Sequence, residues 1–151
     1  MATVHDVAAY ILTKHGAMSA MKLQKLCYYS QAWSLVWDEA ELFPEDFQAW
    51  ANGPVARDLY GKHAGQFTIT SWPWGAPENL AGDQLETIDA VLDAYGKFTA
   101  QQLSALTHRE QPWREARGSL PDTERSTTVV SKDTMRTFYA SLSHREDAED
   151  V

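Results

Sequence analysis

The sequence predicts an all-α fold, or a mainly α fold with a minor short extended segment: a compact single-domain bundle of about six helices. Three observations carry this. Apolar residues recur at intervals of three and four through most of the chain. Gly16, Gly96 and the Asn52-Gly53-Pro54 triplet interrupt those stretches where helices must stop. Strand-like alternation is confined to short pieces near Phe47 and Phe67.

The elements follow in order. Thr3 is placed to cap a first helix, in which Val4, Val7, Ala8, Ile11 and Leu12 share a face. Ser19 opens a longer one, with Leu23, Leu26, Cys27, Ser30, Trp33 and Trp37 along one stripe. Tyr29, Leu35 and Val36 lie off that stripe, so this helix is expected at the centre, covered on several sides. Residues 38–45 are polar and read as a turn, and Phe47 to Trp50 as a short extended piece. Pro54 is assigned to the first turn of a third helix that runs to about His63, because proline lacks only an N–H that is unpaired there. Phe67, Ile69 and Trp72 alternate with polar residues. Trp72-Pro73-Trp74-Gly75-Ala76-Pro77 cannot be regular.

Asp83 with Glu86, and Thr99 with Gln102, are read as capping boxes for the fourth and fifth helices. Pro112 breaks or restarts the chain before Trp113. Residues 118–130 read as a long Ser/Thr-rich loop, and Ser131 as the cap of a last helix with Met135, Phe138, Tyr139 and Leu142 on one face. The domain is assigned to residues 1–143 and an acidic tail to residues 144–151.

The bulk numbers narrow the function classes. A chain of 151 residues fits one domain with a sizeable core. The single cysteine, Cys27, cannot form an intrachain disulfide and sits in an apolar helical pattern, which suits a buried thiol and a cytoplasmic protein. The net charge of −8 repels a phosphate backbone, disfavours direct nucleic-acid binding and suits a basic partner. No apolar run is long enough to span a membrane, and the N-terminus does not read as a secretory signal.

Catalytic constellations are missing from the pattern. None of the five histidines has metal-ligand spacing to another His, Cys or acid, so no metal or cofactor is expected. There is no nucleophile elbow, no P-loop and no dinucleotide fingerprint. His108 and Glu110 are the nearest approach to an acid/base pair, but residues two apart do not share a helix face. His108 is better read as capping the end of its helix. The chain is therefore not read as an enzyme.

What remains is an ordered set of motifs. Lys22, Leu23, Gln24, Lys25, Leu26, Tyr28, Gln31 and Trp33 form the first. Ala49, Trp50, Gly53, Pro54 and Val55 form the second. Leu103, Ser104, Leu106, Thr107, His108, Pro112 and Trp113 form the third. In this order they resemble the Panacea-domain family, the SocA-like antitoxins of bacteria and phages, over residues 5 to 142. The resemblance implies an antitoxin that neutralises a cognate toxin by direct binding. The alternative it implies is a proteolytic adaptor that delivers the toxin to the ClpXP protease, as SocA does.

The motif residues are first of all structural: an apolar stripe, a helix start and a tryptophan wedge. Lys22 and Lys25 read as snorkelling or acid-paired lysines, or as a contact for an acidic patch. Six Trp and six Tyr exceed the ordinary needs of a core, and such residues anchor interfaces. Trp72 and Trp74, in a Pro/Gly loop, are expected to be exposed and to offer a partner contact, and Arg57 and Tyr60, one turn apart, to form part of a docking face beside Trp50.

Overall fold

The computed structural model describes the backbone of residues 1–149 and the side chains of residues 1–143. Seven α-helices are seen among these: α1 (Val4–His15), α2 (Ala20–Trp37), α3 (Arg57–His63), α4 (Gly82–Tyr95), α5 (Ala100–Arg109), α6 (Gln111–Arg117) and α7 (Lys132–Glu149). Two small antiparallel sheets accompany them. One pairs β1 (Met18–Ser19) with β4 (Thr68–Ile69); the other pairs β2 (Gln48–Trp50) with β3 (Gly53–Val55). The mainly α class expected from sequence holds. The tail expected over residues 144–151 lies outside the residues whose side chains are described.

The central helix is α2. Every residue from Leu23 to Leu35 is buried, beneath α1, α4, α5, α7 and the β2–β3 hairpin. Such a helix cannot be amphipathic, and its polar side chains must find partners inside the protein. Four of five do. Gln24 Oε1 accepts from the Ala56 N–H at 2.9 Å, and its Nε2 donates to the Ala56 carbonyl at 3.1 Å. Ser30 Oγ donates to the Leu26 carbonyl. Gln31 grips the Leu42 N–H and the Phe43 carbonyl, both at 2.7 Å. Ser34 Oγ donates to the Ala40 carbonyl. The fifth, Lys25, is fully buried and its Nζ has no hydrogen-bond partner.

Caps follow the sequence closely. Thr3 and Thr99 each close a full capping box, with Asp6 and Gln102 as the returning side chains. Ser19 Oγ and Ser131 Oγ accept from Lys22 and Thr134 N–H groups. The N-terminus of α4 differs from expectation: the helix begins at Gly82, and Gln84 Oε1 returns to the Ala81 N–H. Asp83 accepts from the Gln84 N–H instead. Glu110 takes extended angles between α5 and α6, so the proline break at Pro112 starts a further helix and raises the number above six.

Pro54 does not open a helix. It pairs with Ala49 in β3, and α3 starts after Ala56, whose backbone is held by Gln24. Proline is tolerated because β3 is an edge; the other side of β2 is taken by the 118–130 loop through the Ala49–Thr128 and Val130–Phe47 backbone bonds. Arg117 fastens that loop further, donating to the Pro121 and Glu124 carbonyls.

Candidate functional site

The three sequence motifs meet at Lys25. Gly53 packs directly on it: a Cβ there would stand 2.5 Å from Lys25 Cε and 2.9 Å from Thr107 Oγ1. Gly53 also has φ +117°, a conformation side chains rarely adopt. Trp113, sealed beneath, donates from Nε1 to the Trp50 carbonyl at 2.8 Å, and His108 stacks on its ring at 4.0 Å between centroids. The other motif residues of α2, Lys22, Leu23, Leu26, Tyr28, Gln31 and Trp33, are spread along that helix, and Val55 lies in β3. Lys22 Nζ, on a partly buried side chain, donates to the Gly96 carbonyl rather than to an acid.

Lys25 departs most from the sequence reading. It was expected to snorkel or to pair with an acid, and it does neither. Helical spacing identifies a stripe; it does not reveal that α2 is covered all round. Burial pushes its amine down to about 7.

His108 does not cap its helix. Its ring faces Trp113 and shares a hydrogen bond with the Ala51 backbone. Burial, with a smaller contribution from Lys25, holds it below the ordinary histidine value. Glu110 turns elsewhere, accepting from Tyr29 at 2.7 Å and Tyr139 at 2.8 Å. Burial raises its carboxyl, and the two hydroxyls partly offset that. Sequence neighbours therefore serve separate parts of the core. Among the described residues no cluster of His, Cys, Asp and Glu fits a metal ion.

Beside Lys25 lies a cavity of about 480 Å³. Trp50, Val55, Tyr60 and Phe67 give it apolar walls. Gln24, Lys25 and His63 are its buried polar residues, Asn52, Gln66, Ser126 and Thr127 add more exposed ones, and Arg125 reaches it from the 118–130 loop. Gln24 Nε2 donates to His63 Nε2 at 3.0 Å, which requires an unprotonated nitrogen there. Burial accordingly lowers His63 as well.

Four of the five expected partner-binding residues join into one row of rings. Trp50 meets Tyr60 at 4.9 Å, Tyr60 meets His63 at 5.4 Å, His63 meets Trp72 at 6.3 Å, and Trp72 meets Trp74 at 5.0 Å. Arg57 is exposed at the start of α3 and does not line the cavity. Trp72 is 4% exposed, against the expectation of an open loop, whereas Trp74 is 46% exposed. The loop is fastened to the start of α1. Asp6 accepts from the Ala76 N–H at 2.8 Å and from Asn79, and Trp72 Nε1 donates to His5 Nδ1. Gly75 lies so close to the His5 carbonyl that no Cβ would fit. Sequence reasoning missed His63 and Phe67; a ring at each end of the segment after α3 was the available signal.

The three motifs that meet on this buried helix fall, apart from Lys22, within the span of a family match. Residues 23–114, more than half of the chain, match the family described as "Antitoxin SocA-like, Panacea domain", and the chain belongs to it. No curated protein and no solved structure matches the chain significantly. No described helix is long and apolar enough to cross a membrane.

Proposed function

We propose that this protein is an antitoxin that neutralises a cognate toxin by binding it directly. Membership of the SocA-like antitoxin family carries the reading. The proposed contact face is the outer edge of the aromatic row: Trp50, Tyr60 and Trp74, with Arg57 beside them and Trp72 bracing them from below. Tyr60 and Trp74 are 41% and 46% exposed, and large rigid rings of this kind anchor interfaces at small entropic cost. Lys62 Nζ stands 5.6 Å from the Trp74 ring and adds a cation to a face on an otherwise acidic protein. The mechanism is steric: the toxin's active surface is covered, and no covalent chemistry is required.

Co-expression with the product of the adjacent reading frame tests this. Growth arrest by that product is relieved by the intact protein and returns when Tyr60→Ala and Trp74→Ala are combined. Arrest that persists with the intact protein refutes the reading. Toxin half-life separates two routes: occlusion leaves the toxin intact, whereas delivery to ClpXP shortens its life.

A further inference from the structure

Among the described residues Lys25 Nζ, His108 Nε2 and Arg117 Nε are buried without a hydrogen-bond partner, and of these three residues only Lys25 lines the cavity described above. A buried amine without a hydrogen bond is costly, and a methionine would fill the same volume without that cost. Nothing in the packing of α2 uses the nitrogen.

The charge of the lining is equally telling. The chain carries 21 Asp and Glu against 13 Lys and Arg. Yet the cavity is lined by Lys25, Arg125 and His63 and by no carboxylate. An acidic protein has kept its acids away from this place. Opposing the cations are the apolar faces of Trp50, Val55, Tyr60 and Phe67, the last 80% exposed at the rim. Apolar walls with a few convergent polar groups and a volume in the range of about 300–1,000 Å³ describe a small-ligand site.

We propose that this cavity binds a monocarboxylate carried on an aromatic or aliphatic body, and that Lys25 Nζ receives the carboxylate. One buried ammonium matches one negative charge. A phosphate dianion would call for a second buried cation beside Lys25; the lining supplies only the exposed Arg125 and neutral polar groups. The carboxylate would supply the acceptor that Lys25 lacks, Arg125 would draw the anion in from the rim, and the rings would cover the apolar body. The inference does not rest on the antitoxin reading and stands or falls separately.

The lowered amine gives the binding a signature. Above neutral pH the empty site holds a substantial share of neutral amine, and an arriving carboxylate must bring a proton with it. Titration calorimetry of the full chain at pH 8 in buffers of different ionisation enthalpy reads this uptake. The probes are phenylacetate, phenylacetamide, and a tetrapeptide ending in Phe with its carboxyl free or amidated. Phenylacetate is expected to bind at least tenfold more tightly than phenylacetamide, with proton uptake. Lys25→Met should remove the preference and the uptake, with Lys25→Gln as a second variant should Met disturb packing. Arg125→Gln, on an exposed loop, should weaken phenylacetate severalfold without moving the melting temperature. A free peptide carboxylate that binds as well as phenylacetate identifies a chain end as the source; binding of phenylacetate alone identifies a free acid. Equal binding of acids and amides, no binding of any probe, or a preference that survives in both Lys25 variants would overturn the proposal.

Discussion

Lys25 sets the pH behaviour expected of this protein. Its amine ionises near 7 in the folded chain, against an ordinary value of 10.5. Between those values the unfolded chain holds a proton that the folded chain lacks. Stability from this group is therefore complete above about 10.5 and is lost as pH falls towards 7. His63 and His108 both feel Lys25 and are themselves held low, so they extend the loss to more acid pH. Lys25→Met should flatten the rise in melting temperature between pH 7 and 9.5. It should also raise stability at pH 7 by roughly 1–4 kcal/mol, as when other buried charged groups are replaced by well-packed apolar ones. Thermal unfolding across that range is the check; an unchanged pH slope would mean that the amine is hydrated in solution.

Glu110 works with the opposite sign. Its carboxyl is raised by burial, so its contribution is present below the ordinary carboxyl range and shrinks as pH rises through the folded value. Glu110→Ala leaves the Tyr29 and Tyr139 hydroxyls without their acceptor and should cost roughly 2–4 kcal/mol. Glu110→Gln keeps an acceptor and loses the charge, so it should cost less and weaken the acid-side pH dependence. Urea unfolding of the two variants distinguishes the roles.

At the scale of elements, two kinds of restraint differ in strength. Thr99 caps α5 at the surface, accepting from the Gln102 N–H while Gln102 returns the bond. Thr99→Ala should cost about 1 kcal/mol, the usual loss for a cap. Gln31 holds the connection after α2 from inside, through two backbone groups that have no water to replace it. Gln31→Ala should cost roughly 2–5 kcal/mol, since it strands buried donors and acceptors. Chemical unfolding should rank the two clearly; equal costs would show that the connection finds other partners. Both caps and stops were legible locally, because a threonine three residues before a glutamine satisfies its own turn. The role of Gln31 was not, since its partners lie eleven and twelve residues further on.

For the whole molecule, the field matters more than any one pair. Of the ion pairs described, Lys132 with Glu41 and Asp46 ties α7 to the connection after α2, and Lys14 with Asp89 joins α1 to α4. Exposed pairs contribute little to stability. A net charge of −8 acts at longer range. Association with a basic toxin should slow severalfold between about 50 and 500 mM salt as screening shortens its reach, with dissociation changing less. Stopped-flow measurement of both rates tests this, and a salt-independent association rate would remove charge from the account of recognition.

The sequence by itself determined most of the helices, the caps at Thr3, Ser19, Thr99 and Ser131, and the family, because each depends on neighbours within a few residues or on motifs in fixed order. It placed Trp113 as a wedge and Trp50 and Tyr60 near one another. Only the tertiary structure decided which side of each residue faces another. Trp72 was drawn inward because Asp6, seventy residues earlier, holds the backbone at Ala76. Pro54 became an edge strand because β2 needed a partner. Lys25 lost its access to water because four helices and a hairpin close over α2. Periodicity records how a segment divides between apolar and polar residues; enclosure depends on what the rest of the chain brings to it.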